Sequence, residues 1–168
     1  MIAVDQRADT VDRLEADETS MASFIDNGTT TVNGDAIVEQ YLAYDAGLGY
    51  QHHLVSAPVS NATLNSYYSL YFYAYDEAGT DGSYWDNLSE PLDFPLTIGK
   101  GYTVTGSPGY TGATTVVFNT GPGGMLNNSD VTYSDFTRDC ADLNYIGFEL
   151  VGNPFQSALE WNSDWNLV

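Results

Sequence analysis

The sequence predicts an all-β fold, and three observations support this prediction. Strong helix formers are scarce beyond the first twenty positions, whereas the chain has 16 Gly and 13 Tyr, a composition that favours short strands joined by tight turns. Asn-Gly and Asp-Gly pairs, which accept the backbone angles of hairpin turns, separate the apolar runs. The stretch 67–75 alternates with the two-residue period of a strand, placing Leu70, Phe72 and Ala74 on one face and Tyr71, Tyr73 and Tyr75 on the other.

Length and charge limit both the architecture and the partners. A chain of 168 residues suits one domain with a sizeable core. It carries 23 acidic residues against 4 Lys and Arg, a formal net charge of −19, which all but excludes binding to nucleic acid and disfavours an anionic membrane surface. Two interpretations of the acidity remain open: a surface kept soluble by like charge, or carboxylates that converge on Ca²⁺.

The sequence predicts neither membrane insertion nor a disulfide framework. It has no apolar run of about 18 residues, the length that a membrane-spanning helix needs. Cys140 is the single cysteine, and a small buried apolar side chain is its simplest interpretation because no adjacent base is apparent. The N-terminus lacks the apolar segment of a signal peptide, so we expect an export signal, if one exists, to lie outside this sequence.

Three segments are predicted in chain order. Residues 1–20 are charged with few apolar positions and form either a short helix or a poorly ordered leader. Residues 21–46 are expected to form short N-terminal strands separated by the turns Asn27-Gly28 and Asn33-Gly34. Residues 47–168 are expected to form the main β domain.

The main domain contains a weak internal repeat. Residues 54–58 (Leu-Val-Ser-Ala-Pro) match residues 150–154 (Leu-Val-Gly-Asn-Pro), and in each copy a proline ends a short strand because it cannot donate to a sheet. The first copy continues to Gly99, whereas the counterpart of Gly99 in the second copy would lie beyond Val168. We therefore expect an incomplete second repeat that leaves a sheet edge open to a neighbouring module or to a second copy of the chain.

Shorter patterns predict the remaining strands. We expect strands at 102–105, 114–118 and 145–151, and a polar, irregular stretch at 127–142. The Gly-Lys-Gly sequence at 99–101 predicts a tight turn or bulge that leads into the first of these strands. A phosphate-binding loop is the alternative, and we reject it because no helix pattern follows.

Two adjacent histidines lie on the strand of the first motif copy. His52 and His53 point to opposite faces of a strand, so they do not readily bind one metal ion together. We expect one to be satisfied within the sheet and the other to be solvated.

The tyrosine row on 67–75 has two interpretations. In the first, it stacks on sugar rings or on a partner protein. In the second, the tyrosines are half-buried under a loop or a second sheet, since a bare row would be a large exposed patch. The first interpretation gives these candidate glycan-binding residues: Tyr71, Tyr73, Tyr75, Tyr84 and Trp85.

An acidic hairpin loop follows the same strand, at 76–87. Its carboxylates supply the oxygen ligands that Ca²⁺ prefers, and the candidates are Asp76, Glu77, Asp81 and Asp86. Their spacing is not that of an EF-hand loop, and Asp-Gly turns form without any ion. Calcium is the one cofactor that the sequence leaves open.

Six fragments, taken in order, carry a resemblance to a known family: 24–28, 38–42, 53–58, 70–77 with Trp85, 99–102 and 148–159. Together they resemble a recurring all-β module of large secreted and surface proteins of Bacteroidetes, often found upstream of the sorting domain of type IX secretion. The resemblance implies short β-solenoid-like strands followed by an antiparallel β-sandwich of the jelly-roll kind. It also implies an extracellular or cell-surface location and a structural or adhesive role. No catalytic residues belong to this pattern.

The leading functional hypothesis is therefore a non-enzymatic structural or interaction module of an exported bacterial protein. The alternative is a carbohydrate-binding module that takes extracellular polysaccharide on the aromatic residues named above. A glycoside hydrolase ranks third, because it needs two carboxylates across a cleft. Its candidate acids are present only because acids are plentiful: Asp86, Glu90, Glu149 and Glu160.

Overall fold

The protein is all-β, as the sequence predicts. The computed structural model describes residues 12–15, 17–19, 36–47, 51–77, 84–88, 91–106, 112–121, 125–134, 149–157 and 159. These residues contain seven strands and a single turn of 3-10 helix, Leu64–Tyr67. The strands are β1 (Asp12–Leu14), β2 (Ala36–Leu42), β3 (His52–Val55), β4 (Leu70–Tyr75), β5 (Trp85–Asn87), β6 (Tyr102–Gly106) and β7 (Thr114–Asn119).

The strands form two sheets. The first has the order β1-β2-β7, in which β1 runs parallel and β7 antiparallel to the central strand β2. The second has the order β3-β6-β4-β5 and is antiparallel throughout. Strand β6 is therefore central, and β3 and β5 are the edges of the second sheet.

A single apolar core lies between the two sheets. The first sheet contributes Val38, Val116 and Phe118, and the second contributes Phe72 and Val104, all of them buried. On β2, β4 and β7 the buried residues alternate with more exposed neighbours, which is the pattern of sheets that bury one face, whereas the interior strand β6 is buried on both faces from Tyr102 to Thr105. The predicted sandwich of packed sheets agrees with this arrangement.

Tyr67 joins the two sheets at the centre of this core. Its ring lies 4.8 Å from the Phe72 ring and 5.6 Å from the Phe118 ring, one residue from each sheet. Its hydroxyl donates a hydrogen bond of 3.1 Å to Oε1 of Gln40 on β2. Aromatic contacts of this kind add to the free energy of area burial, so Tyr67 fixes how the sheets pack.

The strand predicted at 67–75 begins only at Leu70. Tyr67 is instead the last residue of the 3-10 helix, and Ser69 has a left-handed backbone with φ of 73° that separates this helix from β4. The alternation of faces within β4 is confirmed, because Phe72 and Ala74 are buried and the tyrosines between them are half-buried. The apolar pattern alone did not reveal the break, since Tyr67 is buried in either conformation.

The N-terminal prediction needs one correction. Asp12–Leu14 is a strand paired in parallel with Ala36–Val38 of β2, where the sequence predicts a helix or a poorly ordered leader. Backbone pairing with β2 overrides the weak local helix propensity here. The predicted turns at Asn27-Gly28 and Asn33-Gly34 lie outside the described residues.

The predictions for β6 and β7 are confirmed to within one residue at the C-terminal end. The turn at 99–101 is confirmed as well: the Lys100 amide donates to the Thr97 carbonyl at 3.3 Å, and Gly99 has φ of 83°. Strand β2, placed among the N-terminal strands by its sequence, pairs with β7 and shares the core of the later strands. Cys140 lies outside the described residues.

We predict that Tyr67→Phe destabilises the protein and makes its free energy of unfolding less dependent on pH in the alkaline range. At neutral pH the loss is about 1–3 kcal/mol, because Gln40 Oε1 is left without its donor. Burial, with a smaller contribution from Tyr102, raises the pKa of the Tyr67 phenol well above its ordinary value. The folded state therefore keeps this phenol neutral while the unfolded state ionises above about pH 10.

This pKa difference makes wild-type stability fall by up to about 1.4 kcal/mol per pH unit above pH 10, in addition to any effect of the other tyrosines. The phenylalanine variant lacks this contribution, so the gap between the two proteins narrows as pH rises. Urea unfolding between pH 8 and pH 11, compared for the two proteins, measures the difference. A gap that stays constant over this range would contradict the prediction.

Candidate functional site

A groove with a volume of about 490 Å³ lies beside the edge strand β3. Its walls are residues 40–42 of β2, residues 52–56 of the first motif copy, Gly101 and residues 150–153 of the second motif copy. It is thus bordered by both sheets and by both copies of the internal repeat.

The two motif copies meet because both pair with the same extended segment. Strand β3 pairs with Tyr102–Thr105, while Val151 forms an antiparallel bridge to Lys100, just before β6. Two backbone hydrogen bonds fix this bridge: the Gly101 amide donates to Leu150 O at 2.7 Å, and the Gly152 amide donates to Gly99 O at 2.9 Å. Both copies therefore run antiparallel to the same segment, the second copy at Lys100 and the first copy at Tyr102–Thr105.

Asn127 ties the two copies together after their strands end. Its side-chain amide donates to the carbonyl of Ala57 at 3.0 Å and to the carbonyl of Pro154 at 2.8 Å. Both of its N–H bonds are used in this way, and Asn127 is buried. A buried carbonyl without a donor costs free energy, so Asn127 satisfies two acceptors with one residue.

Two further side chains cross between the copies. Ser56 donates its hydroxyl hydrogen to the Asn153 carbonyl, and Gln156 donates from its amide to the Pro58 carbonyl. Ser56 also connects to the core, because its own carbonyl accepts from Gln40 Nε2 at 3.4 Å. The wall of the groove is in this way joined to Tyr67, which donates to the same Gln40 side chain.

The equivalence of the copies holds for the prolines and fails for the residues before them. Pro58 and Pro154 are both buried. Val55 is buried and Leu54 is 71% exposed, whereas Leu150 is half-buried and Val151 is 39% exposed. The first copy is a full strand in which Val55 points inward. The second copy is held by a single bridge, and its Val151, the counterpart of Val55, is exposed instead.

Strand β3 is an edge strand among the described residues. In an antiparallel edge strand, every second residue points its N–H and C=O away from the neighbouring strand. Within the part of the chain that the structure describes, β6 is the only strand that pairs with β3. An edge of this kind, with an exposed leucine, is a template for a further strand.

The adjacent histidines do not converge, as expected. His52 is exposed and His53 is half-buried on the opposite face. The His52 ring lies 6.3 Å from the Tyr73 ring, and its Nδ1 is 3.4 Å from the Thr103 hydroxyl. His52 therefore extends the aromatic row of β4 towards the β3 edge.

The candidate glycan-binding residues lie on the outer face of the second sheet. Tyr71, Tyr73 and Tyr75 are half-buried on the face opposite Phe72 and Ala74. Cross-strand pairing places Trp85 beside Tyr75, with ring centroids 5.4 Å apart in an edge-to-face arrangement. Tyr84, also half-buried, has its ring 6.5 Å from that of Tyr75. Trp85 is 40% exposed, which leaves part of its indole ring open to a ligand.

The candidate calcium ligands occupy dissimilar environments. Asp76 and Asp86 are exposed, Glu77 is 1% exposed, and Asp81 lies outside the described residues. Asp86 is opposite Ala74, so it points to the other face of the hairpin from Trp85. No group of three or more potential metal ligands occurs among the described residues, and calcium binding stays a prediction.

The acids considered for hydrolase chemistry are not gathered either, as far as the structure describes them. Asp86 is exposed on β5 at one edge of the second sheet, while Glu149 is half-buried and precedes the second motif copy. Glu90 and Glu160 lie outside the described residues. In the described part of the chain, no helix is long and apolar enough to cross a membrane.

Comparisons with protein-family models, with curated proteins and with solved structures found no match to this chain. The groove and the aromatic face are the features of this chain that bear on its function. Sequence reasoning did not single out Asn127, Gln40 or the exposure of Leu54. A buried asparagine in a polar stretch has no distinctive pattern, and only the pairing of β3 shows which motif residue faces solvent.

We predict that Gly152→Ala loosens the contact between the motif copies. A Cβ at this position would lie 2.7 Å from the Lys100 carbonyl oxygen and against the Ser56 side chain. Backbone must therefore move, at a cost of about 1–3 kcal/mol in the free energy of unfolding. Urea unfolding measures this loss, and hydrogen exchange at the Gly101 amide reports whether its bond to Leu150 has opened.

Gly112→Ala is the matched control for this prediction. No heavy atom lies within 4 Å of a Cβ built at Gly112, so we expect a change of less than about 1 kcal/mol. Equal stability of the two alanine variants would contradict the close approach of the second copy to Lys100.

Proposed function

We propose that this protein is a non-catalytic interaction module that accepts an extended peptide segment of a partner chain at the β3 edge. The observation that carries the proposal is Leu54, which is 71% exposed on an edge strand that borders a groove. Burial of a leucine side chain contributes about 1.5–3 kcal/mol. A bound segment would bury Leu54 and pair with the outward backbone groups of β3 in the same step.

The geometry suits strand addition more than the capture of a compact ligand. Main-chain hydrogen bonds give affinity in this mode, and pockets for alternate side chains give specificity. The groove provides a pocket for such side chains, since Val151 and Leu150 form an apolar wall beside β3. The hydrogen bonds of Asn127, Ser56 and Gln156 hold this wall in place before the partner arrives.

The proposal extends to location and context. The ordered fragments that resemble the Bacteroidetes surface module favour an exported protein whose neighbours are other modules of the same or an adjacent chain. An all-β fold with two packed sheets is consistent with that family. The jelly-roll topology and type IX secretion belong to this proposal and rest on the resemblance.

A second candidate function is glycan binding on the outer face of the second sheet. The specific observation in its favour is the Trp85 ring, which is partly exposed and stands edge-to-face against Tyr75. A ring held in this way loses little rotamer freedom when a sugar stacks on it. Trp85 is on β5 and Leu54 is on β3, three strand spacings apart, or about 14 Å, so the two functions are separable.

We predict that Leu54→Asn weakens peptide binding by the module. A displayed library of peptides of about seven residues should yield alternating apolar sequences with the wild-type protein. The variant should bind the selected peptides at least about tenfold more weakly, because it loses the burial of one leucine. Biolayer interferometry measures this change in affinity.

Val117→Asn is the control, since Val117 is 44% exposed on the edge strand β7 of the other sheet. It should leave the affinity unchanged. Protection of β3 amides from hydrogen exchange on binding should accompany the interaction. A library that yields no peptide, or equal binding by both variants, would refute strand addition at β3.

The glycan candidate predicts loss of retention in Trp85→Ala. On an array of soluble polysaccharides, removal of the indole ring should weaken binding by about tenfold. Tyr68→Ala is the matched control, because Tyr68 is 69% exposed but lies before β4 and outside the aromatic row. Absence of retention by the wild-type protein would remove this candidate.

A further inference from the structure

The groove has no acidic side chain in its lining, which includes His52 and His53, although the chain is strongly acidic. None of the residues that line it is Asp, Glu, Lys or Arg, although 23 of the 168 residues are acidic. Charged residues adjoin it in sequence: Glu39 precedes the β2 wall, Glu149 precedes the second motif copy, Asp45 follows β2, and the single basic neighbour Lys100 precedes Gly101. A groove with Leu54, Leu150 and Val151 in its walls, in a chain of net charge −19, places two requirements on a ligand.

We infer that the occupant of this groove is an extended segment of a different protein, with apolar side chains at alternate positions and Lys or Arg at its flanks. This inference rests on the proposed strand addition at β3 and names the chemistry of the partner. The alternate apolar side chains are required by the two-residue period of a strand lying against Leu54 and Val151. The net charge of −19 favours basic flanks, because the field of the whole chain attracts positive charge.

Charge also argues against a second copy of this chain as the occupant. Two chains of −19 repel each other, and a net charge this far from zero keeps a protein monomeric. Like charges brought together at an interface cost several kcal/mol.

The negative charge that repels a second copy of this chain attracts a basic partner. Electrostatic attraction raises the rate of association and depends on ionic strength, whereas apolar contacts and backbone pairing set the rate of dissociation. The screening length falls from about 10 Å at 0.1 M salt to about 3 Å at 1 M. The partner should therefore bind faster at low salt and dissociate at a rate that salt changes little.

Three synthetic peptides test this inference on the full chain: KTVTVTK, STVTVTS and ETVTVTE. We expect the first to bind about tenfold more tightly than the third in 50 mM salt, with the difference carried by the association rate and reduced to about twofold in 1 M salt. The neutral peptide should fall between them. Surface plasmon resonance separates the two rates.

N-methylation of the first peptide tests its mode of binding. Methyl groups on one alternate set of amides should abolish binding, and methyl groups on the other set should leave it within about twofold, because only every second amide faces β3. Equal effects of the two sets would overturn strand pairing and with it the proposed function. The Leu54→Asn protein serves as the negative control, and the Val117→Asn protein as the positive one.

The remaining outcomes separate the two proposals. If all three peptides bind equally at low salt, the basic partner is overturned while strand addition stands. If the protein alone dimerises at low salt in analytical ultracentrifugation, and Leu54→Asn prevents this, a second copy is the occupant and the inference fails. If no peptide binds at any salt concentration, strand addition itself is refuted.

Discussion

The side-chain amide of Asn127 is the interaction on which the groove depends. It donates to Ala57 O and Pro154 O, two carbonyls from chain segments that are far apart in the sequence. Both carbonyls lie beyond the last paired residue of their copy, Val55 and Val151, so the pairing with the 100–105 segment does not reach them. The buried Asn127 side chain thereby joins the two motif copies into one wall of the groove. The exposed Leu54 and Val151 belong to this wall.

The second sheet presents two different surfaces at its two edges. At the β3 edge, the exposed Leu54 lies on a strand that pairs on one side only within the described residues, which suits a polypeptide. Towards the β5 edge, Tyr75 and Trp85 form a rigid aromatic surface, which suits a sugar ring or a planar apolar group. Buried Thr103 and Thr105 of β6 lie between them, and His52 connects the aromatic row to the β3 edge. The two surfaces are therefore continuous on one face without sharing their central residues.

Much of the fold could be predicted from the sequence, because the core depends on alternation. The faces of β4 follow from Leu-Tyr-Phe-Tyr-Ala-Tyr, and β7 follows from a Thr- and Val-rich run that has β-branched residues on both faces. The 3-10 helix before β4 was missed because Tyr67 is apolar and buried in either structure. The strand at Asp12–Leu14 was missed because its stability comes from pairing with β2, and no local pattern encodes a partner.

The site was only partly predictable. The matching prolines identified the segments that form the groove, and their equivalence held for Pro58 and Pro154. Which residues of each copy face solvent was not predictable, because a shift of one residue reverses the faces of a strand. Asn127 was equally hidden, since a buried hydrogen-bonding role leaves no periodic trace in a polar stretch.

The shared use of the segment before β6 has a consequence for how the chain folds. Strand β3 and the bridge at Val151 both require Gly99–Thr105, yet one precedes it and the other follows it in synthesis. The first copy can pair once β6 has left the ribosome, whereas the second must wait for residues beyond position 150. Until then the Gly101 amide and the Gly99 carbonyl lack their hydrogen-bond partners in the second copy and can pair with another strand. Pairing between residues that lie so far apart in the sequence slows folding. Protection of the nascent chain by chaperones would matter most before the residues beyond position 150 have been synthesised.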